Sequence, residues 1–304
     1  MISFVFIGFF SLSLFSRRSD VYSKHSTTTQ SSVLASSDEY TYKVIPIFSE
    51  LSSFPIISAQ AVLATDLESG ISLYEKDPDA PLFPASTTKM VTALVTMDYY
   101  PKDQILRVGS IKVEGQKMGL VFEEEIRVED LLYGLLIFSA NDAAEVLAQN
   151  YSGGRATFIE AMNLKVEELG LKNTHFSNPT GLDGNGHMTS ARDLVQIAEF
   201  AMKNKDFSEI VRTKEKTVKS LDGRITHRLV NINELLGTVD GVLGVKTGWT
   251  ENARENLVTY LERDDKKIMV SVLGSQDRFG ETKELINWIF ENYDWKTIEV
   301  PYLR

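Results

Sequence analysis

The chain has 304 residues, 43% of them hydrophobic, enough for one large domain or two ordinary ones with a sizeable core. Its formal net charge of −10 argues against a nucleic-acid partner. It contains no cysteine, which excludes disulfides, thiolate catalysis and Cys-ligated metals, and its four histidines stand apart without metal-ligand spacing.

From the start, Ile2 to Phe15 is an apolar run interrupted only by Gly8 and three serines. It is shorter than the roughly 20 residues of a membrane span and has the length of a signal-peptide core. No Lys or Arg precedes it, and Arg17-Arg18 follow it. Residues 1–16 therefore read as an export signal or an uncleaved anchor, with the rest of the chain on the extracytoplasmic side. Residues 17–53, which include Ser26-Thr27-Thr28-Thr29, read as a Ser/Thr-rich linker. Folded structure is expected from near Ile56, as one domain over 54–304.

Ala59 to Leu67, the turn Glu68-Ser69-Gly70 and Ile71 to Glu75 have the pattern of a β-hairpin. Pro81 and Pro84 punctuate the loop that follows. Met90, Ala93, Leu94 and Met97 then recur at i, i+3, i+4 and i+7, which predicts a helix over 87–99. Short β-like pieces follow around Ile105–Val108 and Ile111–Val113. Leu131, Leu132, Leu135 and Leu136 mark a helix over 128–138. Further helices are expected over 142–151 and 155–169, the last stopped by Gly170, so that 128–170 is an all-helical block. Phe176 to Asp183 is loop chemistry. Asp183-Gly184-Asn185-Gly186 looks superficially like a calcium loop, but it lacks the Glu required at position twelve. A helix over 191–203 follows. The last third changes period: 243–250, 256–262 and 267–274 read as strands, Asp264-Asp265 as a hairpin turn, and 280–293 as a final helix.

The chemistry starts at Ser86-Thr87-Thr88-Lys89. With Ser86 at the N-terminus of the 87–99 helix, Lys89 lies one turn on over the same face. A hydroxyl and an amine so placed can form a serine nucleophile with a lysine base. The plain alternative is a capping Ser and a surface Lys, since composition alone yields about one Ser-x-x-Lys in a chain this long. Two further motifs decide between them: Ser139-Ala140-Asn141 at a helix end and Lys246-Thr247-Gly248 on a strand. The ordered set resembles the penicillin-recognising serine enzymes. Asn178-Pro179-Thr180-Gly181-Leu182, then His187, then Ala191-Arg192-Asp193, narrow the resemblance to the low-molecular-mass D-alanyl-D-alanine carboxypeptidases, over about residues 56–295.

That resemblance implies an α/β fold of the β-lactamase/transpeptidase type: a mainly antiparallel sheet flanked by helices, plus an all-helical lobe. The site would lie in the groove between them. It implies Ser86 as the nucleophile, Lys89 as its base and Ser139 as a proton relay to the leaving amine. Asn141 would hold the substrate backbone. Lys246 and Thr247 would face the substrate carboxylate, with Gly248 allowing close approach. The backbone N–H groups of Ser86 and Trp249 would form the oxyanion hole. Arg278, placed just before the last helix, would bind the terminal carboxylate. Asp183 and His187 match family positions with structural roles. A free lysine titrates near about 10.4, so burial and the cation of Lys246 are expected to depress Lys89 by about three units, roughly 4 kcal/mol. The plain alternative for Ser139 is to cap the next helix.

The substrate implied is the peptidoglycan stem peptide, trimmed of its terminal D-Ala, with β-lactams as covalent inhibitors and no metal or cofactor. Two rivals remain at this stage. A serine β-lactamase would want a Glu in the loop 173–183, which carries none. A non-catalytic penicillin sensor would not need the intact Ser86, Lys89, Ser139 and Lys246. One departure stands out: the family usually reads Ala-Gly where this chain has Ala253-Arg254. A bulky cation there is expected to reshape the cleft wall or meet an acidic part of the substrate. The chain ends at Arg304, so any tether is expected at the N-terminus.

Overall fold

Two runs near the C-terminus, 256–261 and 268–275, are mostly apolar and carry no charged residue, as central strands covered on both faces require. They form β9 (Arg254–Arg263) and β10 (Lys266–Ser275) in this computed structural model, which describes residues 40–49 and 51–301. Asp264 and Asp265 join them at φ 50° and 59°, the left-handed pair that a tight two-residue hairpin turn needs. β10 pairs with β2 (Ala61–Asp66), which pairs with β3 (Ser72–Lys76), and β9 pairs with β8 (Val242–Thr250). The sheet order is β3-β2-β10-β9-β8, antiparallel throughout, with β8 on an edge.

Strand periodicity sends alternate side chains to opposite faces, and each face has its own core. Leu63, Val258, Met269 and Leu273 face a large cluster with α1 (Lys89–Tyr99), α2 (Val128–Leu136), α3 (Asn141–Gln149), α4 (Gly154–Glu168), α5 (Ala191–Met202) and α6 (Lys205–Val211). Val62, Leu257, Val270 and Val272 face α7 (Arg278–Asn292) through Leu285, Ile286, Trp288 and Ile289. Helix α1 is buried from Lys89 to Thr96; from Met90 onward its apolar residues and threonines allow this, and Lys89 is the one charged residue among them.

The sheet, its hairpin turn and the helices at 128–168 stand where the sequence placed them. Several elements differ. Strand β1 (Tyr40–Phe48) pairs with β11 (Tyr293–Pro301), inside the stretch expected to be linker, so folded structure starts before Ile56. The partner strand is at the other end of the chain, where no local pattern shows it. Of the two β-like pieces after Pro101, β4 (Ile105–Arg107) forms and pairs with β5 (Glu125–Arg127), whereas 111–113 is loop. The lobe also carries a ribbon of β6 (Glu215–Lys219) and β7 (Thr226–Val230). The last helix begins at Arg278 rather than Gly280, because Asp277 Oδ1 accepts the Gly280 N–H at 2.9 Å as its cap. The expected export signal or anchor, residues 1–16, lies outside the described residues.

Candidate active site

Ser86 does not cap α1. It sits in a 3-10 turn, Ala85–Thr88, that runs into the helix. Ala85 takes φ 49°, an unfavourable conformation for a residue with a Cβ. The surroundings impose it. Thr87 Oγ1 donates to the Pro84 carbonyl at 2.7 Å. Asn256, fully buried on β9, donates to the carbonyls of Phe83 (2.9 Å) and Pro84 (3.0 Å) and accepts from Gly274 N (2.9 Å). One strand residue thus ties the nucleophile's turn to the sheet.

Lys89 follows one turn later, with none of its surface exposed. Its Nζ donates to Ser86 Oγ at 2.9 Å and to the Thr180 carbonyl. That carbonyl is held by the Asn178-to-Leu182 loop, where Asn178 Oδ1 accepts from Thr180 Oγ1 and Gly181 N, each at 2.8 Å. Gly181, at φ 86°, lies directly against the Ala85 carbonyl, which leaves no room for a Cβ. Burial brings the Lys89 pKa down to about 7, against an opposing pull from the Asp142 carboxylate. The expected help from Lys246 is thus replaced by burial alone. The repulsion between the amines falls on Lys246, which burial first, then Lys89 and Arg278, hold well below the usual lysine range.

Lys246 is also buried, and its Nζ donates to Ser139 Oγ at 2.9 Å and to the Thr247 carbonyl at 3.0 Å. Ser139 does not cap the next helix; Ala140 takes that position with no side-chain bond. Ser139 is instead turned to φ 62° between α2 and α3, which brings its hydroxyl to the amine on β8. Asn141 Nδ2 donates to the Glu114 carbonyl at 2.7 Å, while its buried Oδ1 has no partner among the described residues. Thr247 Oγ1 and Arg278 Nε are buried and unpartnered in the same way. Arg278 is the first residue of α7 and donates from NH1 to the Gly248 carbonyl at 2.9 Å. Burial lowers its pKa, opposed by Glu255 and Glu234.

An open groove of about 840 Å3 is lined by Ser86, Ser139, Asn141, Thr247, Gly248, Trp249 and Arg278, with the two lysines buried behind Ser86 and Ser139. Trp249 stands 63% exposed on its rim. Gly248 lines the groove and also lets the nucleophile's own turn approach β8 closely: a Cβ there would lie 3.0 Å from both Ala85 Cβ and Ser86 N. His187 accepts from Ser177 N at Nδ1 (2.9 Å), which leaves Nε2 to meet Thr88 Oγ1 (3.0 Å). Burial lowers its pKa to about 4, so it stays neutral as a brace behind the turn. Asp183 clamps Thr250 Oγ1 (2.7 Å) and Asn252 Nδ2 (3.0 Å) at the end of β8. Arg254 is exposed and outside the groove lining, so it does not shape the cleft wall as expected. Among the described residues no His, Cys, Asp and Glu side chains group as a metal site.

Sequence reasoning passed over Asp142 and Asn256. Asp142 accepts from the backbone of Met118 (3.0 Å), Gly119 (2.9 Å) and Leu120 (3.1 Å), fixing the loop that forms one wall of the groove. An Asn256 placed directly before the buried run Leu257–Leu261 was the available signal for the other.

A Ser–Lys pair and a Ser–Lys bridge across a cleft between a sheet edge and a helical lobe define the class of penicillin-recognising serine acyltransferases. The chain belongs to the peptidase S11, D-alanyl-D-alanine carboxypeptidase family, which it matches over residues 49–277. It is 31% identical to the D-alanyl-D-alanine carboxypeptidase DacF of Bacillus subtilis over 78% of this chain and 63% of that one. It is 34% identical to the D-alanyl-D-alanine carboxypeptidase of Streptomyces sp. K15 over 78% of this chain and 88% of that one. A D-alanyl-D-alanine endopeptidase of Pseudomonas aeruginosa is 33% identical over 77% of each chain. The crystal structure of the Streptomyces K15 DD-transpeptidase superimposes with a TM-score of 0.75 at 31% identity, covering 79% of this chain and 100% of that one. The chain spans 63% and 65% of the lengths of DacF and of DacA from Haemophilus influenzae.

Proposed function

We propose that this protein is a serine D-Ala-D-Ala carboxypeptidase that removes the terminal D-Ala of peptidoglycan stem peptides. The observation that carries the reading is the pairing of Ser86 with a fully buried Lys89 whose pKa is brought to about 7. At neutral pH such an amine is substantially unprotonated. Its lone pair can then take the Ser86 proton while an N–H stays on the Thr180 carbonyl.

In the first step Ser86 Oγ attacks the penultimate D-Ala carbonyl and its proton passes to Lys89. The developing oxyanion meets the backbone N–H groups of Ser86 and Trp249. The C–N bond breaks, and the leaving amine receives a proton through Ser139, which Lys246 holds in place. Water then hydrolyses the Ser86 ester. The unpartnered Asn141 Oδ1 and Thr247 Oγ1 suit a substrate amide and carboxylate, and Arg278 adds positive charge at the carboxylate end. The free edge of β8 suits an extended peptide. Family membership supports a site of action at the cell wall and covalent inhibition by β-lactams. Export or anchoring through residues 1–16 belongs to the same reading.

The test is release of D-Ala from a diacyl peptide ending in D-Ala-D-Ala, together with labelling by a fluorescent penicillin. Both activities are expected, and both are lost in Ser86→Ala. Labelling without D-Ala release would instead identify a sensor.

A further inference from the structure

Beside the groove lies a second cavity of about 910 Å3, between the 111–120 loop and the 178–182 loop, with α3 and α4 at its floor. Glu114 and Leu182 line both spaces, so the two are neighbours across a shared wall. The groove has a direction. Thr247 and Arg278, which suit the leaving residue's carboxylate, line the groove alone, whereas Glu114 and Leu182 line both spaces, so the second cavity opens from a wall of the groove that those two carboxylate-binding residues do not form.

The charges in this cavity are unevenly satisfied. Arg155 is held by Glu145 in a bidentate pair (Nε–Oε2 2.8 Å, NH2–Oε1 3.1 Å). Asp142 is saturated by backbone amides of the loop. Lys112 and Lys117 are exposed and make no ion pair or hydrogen bond among the described residues. The lining carries three cations and three carboxylates, but with Glu145 paired to Arg155 and Asp142 held by backbone amides, two free ammonium groups face the single carboxylate of Glu114. Glu114 also lines the cavity and offsets one of the two charges, so the net free charge matches a single carboxylate better than a dianion such as phosphate.

We infer that the second cavity is a subsite for a carboxylate on the acyl side of the substrate, upstream of the scissile bond, bound by Lys112 and Lys117. This rests on the carboxypeptidase reading and assigns the subsite that selects among its peptides.

The experiment uses the protein with Lys112→Gln and Lys117→Gln together, and three peptides ending in D-Ala-D-Ala. One carries a free carboxylate upstream, one is its amide, and one is a short diacyl peptide that ends before the cavity. In the unaltered protein kcat/KM is expected to favour the acid over the amide by about tenfold, as loss of a charge-assisted contact implies. The double variant should lose that preference while keeping its rate on the short peptide and its penicillin acylation. The preference should also shrink with added salt. Equal rates for acid and amide, or a preference that survives in the variant, overturns the subsite. If penicillin labels Ser86 but no peptide is cleaved, the carboxypeptidase reading fails on its own. The subsite is then read from binding to the Ser86→Ala protein by calorimetry: acid tighter than amide supports it, and equal affinity overturns it.

Discussion

Lys89 illustrates how a chemical requirement lowers stability at the scale of one residue. Its folded pKa, about 7, lies below the ordinary 10.5. Above 10.5 the amine is neutral in both states and costs nothing. Between about 7 and 10.5 the unfolded chain binds the extra proton, so stability rises with pH across that window. Below it the full penalty applies, on the order of 5 kcal/mol. Lys89→Met should therefore abolish penicillin acylation yet raise the unfolding free energy more at pH 6 than at pH 10. A gain that does not vary with pH in denaturant titrations would show that burial of the charge is not the cause. In the unaltered protein the acylation rate should climb as pH passes about 7. Arg254 offers the complementary case. It holds φ 57° with its side chain exposed. Arg254→Gly should stabilise by about 1 kcal/mol and leave acylation unchanged, measured by chemical denaturation and penicillin labelling.

At the scale of elements, the site depends on how closely the nucleophile's turn meets β8. Gly248→Ala places a Cβ 3.0 Å from Ser86 N and from Ala85 Cβ, and both neighbours are backbone or short side chain with little freedom to yield. Acylation should fall about 100-fold, because small displacements at a reacting centre are costly, while far-UV circular dichroism stays the same. On the opposite wall, His227 of β7 bonds the Met118 carbonyl (3.0 Å) and Glu124 (2.7 Å), with both side chains buried. The same loop presents the Glu114 and Gln116 carbonyls that hold Asn141 (2.7 Å each). His227→Ala removes one of the partners of buried Glu124, which keeps only the Val121 N–H, and should cost about 1–3 kcal/mol. Because Asn141 loses its support, KM for the peptide should rise more than kcat falls.

For the whole molecule, the two faces of the sheet divide the labour. The face towards α1–α6 carries the helical lobe and the nucleophile's turn, and the other face carries α7 and an aromatic cluster. In that cluster Trp288 contacts Phe54 (5.0 Å), Phe48 (5.8 Å) and Tyr293 (6.1 Å), and β1 is fastened beside it through β11. Trp288→Ala should cost about 3–5 kcal/mol by thermal or denaturant unfolding. The acylation rate of the folded fraction should stay the same, since the nucleophile is positioned from the other face. A matching loss of acylation at temperatures where the variant is folded would contradict this separation.

The amino-acid sequence alone determined the helix periods expected over 87–99 and 128–138, which the fold realises as 89–99 and 128–136, the three consecutive strand runs, the Asp264-Asp265 turn and the three short motifs that meet at the groove. Each of these is recorded in neighbouring residues, because helix and strand spacing and turn chemistry are local. The tertiary structure decided what depends on distant partners. It paired β1 with β11, turned Ser139 out of its capping position, assigned Gly248 to the approach of Ser86, and buried two amines whose desolvation sets their chemistry. Burial and long-range hydrogen bonding arise only when the chain folds back on itself, and so no window of sequence contains them.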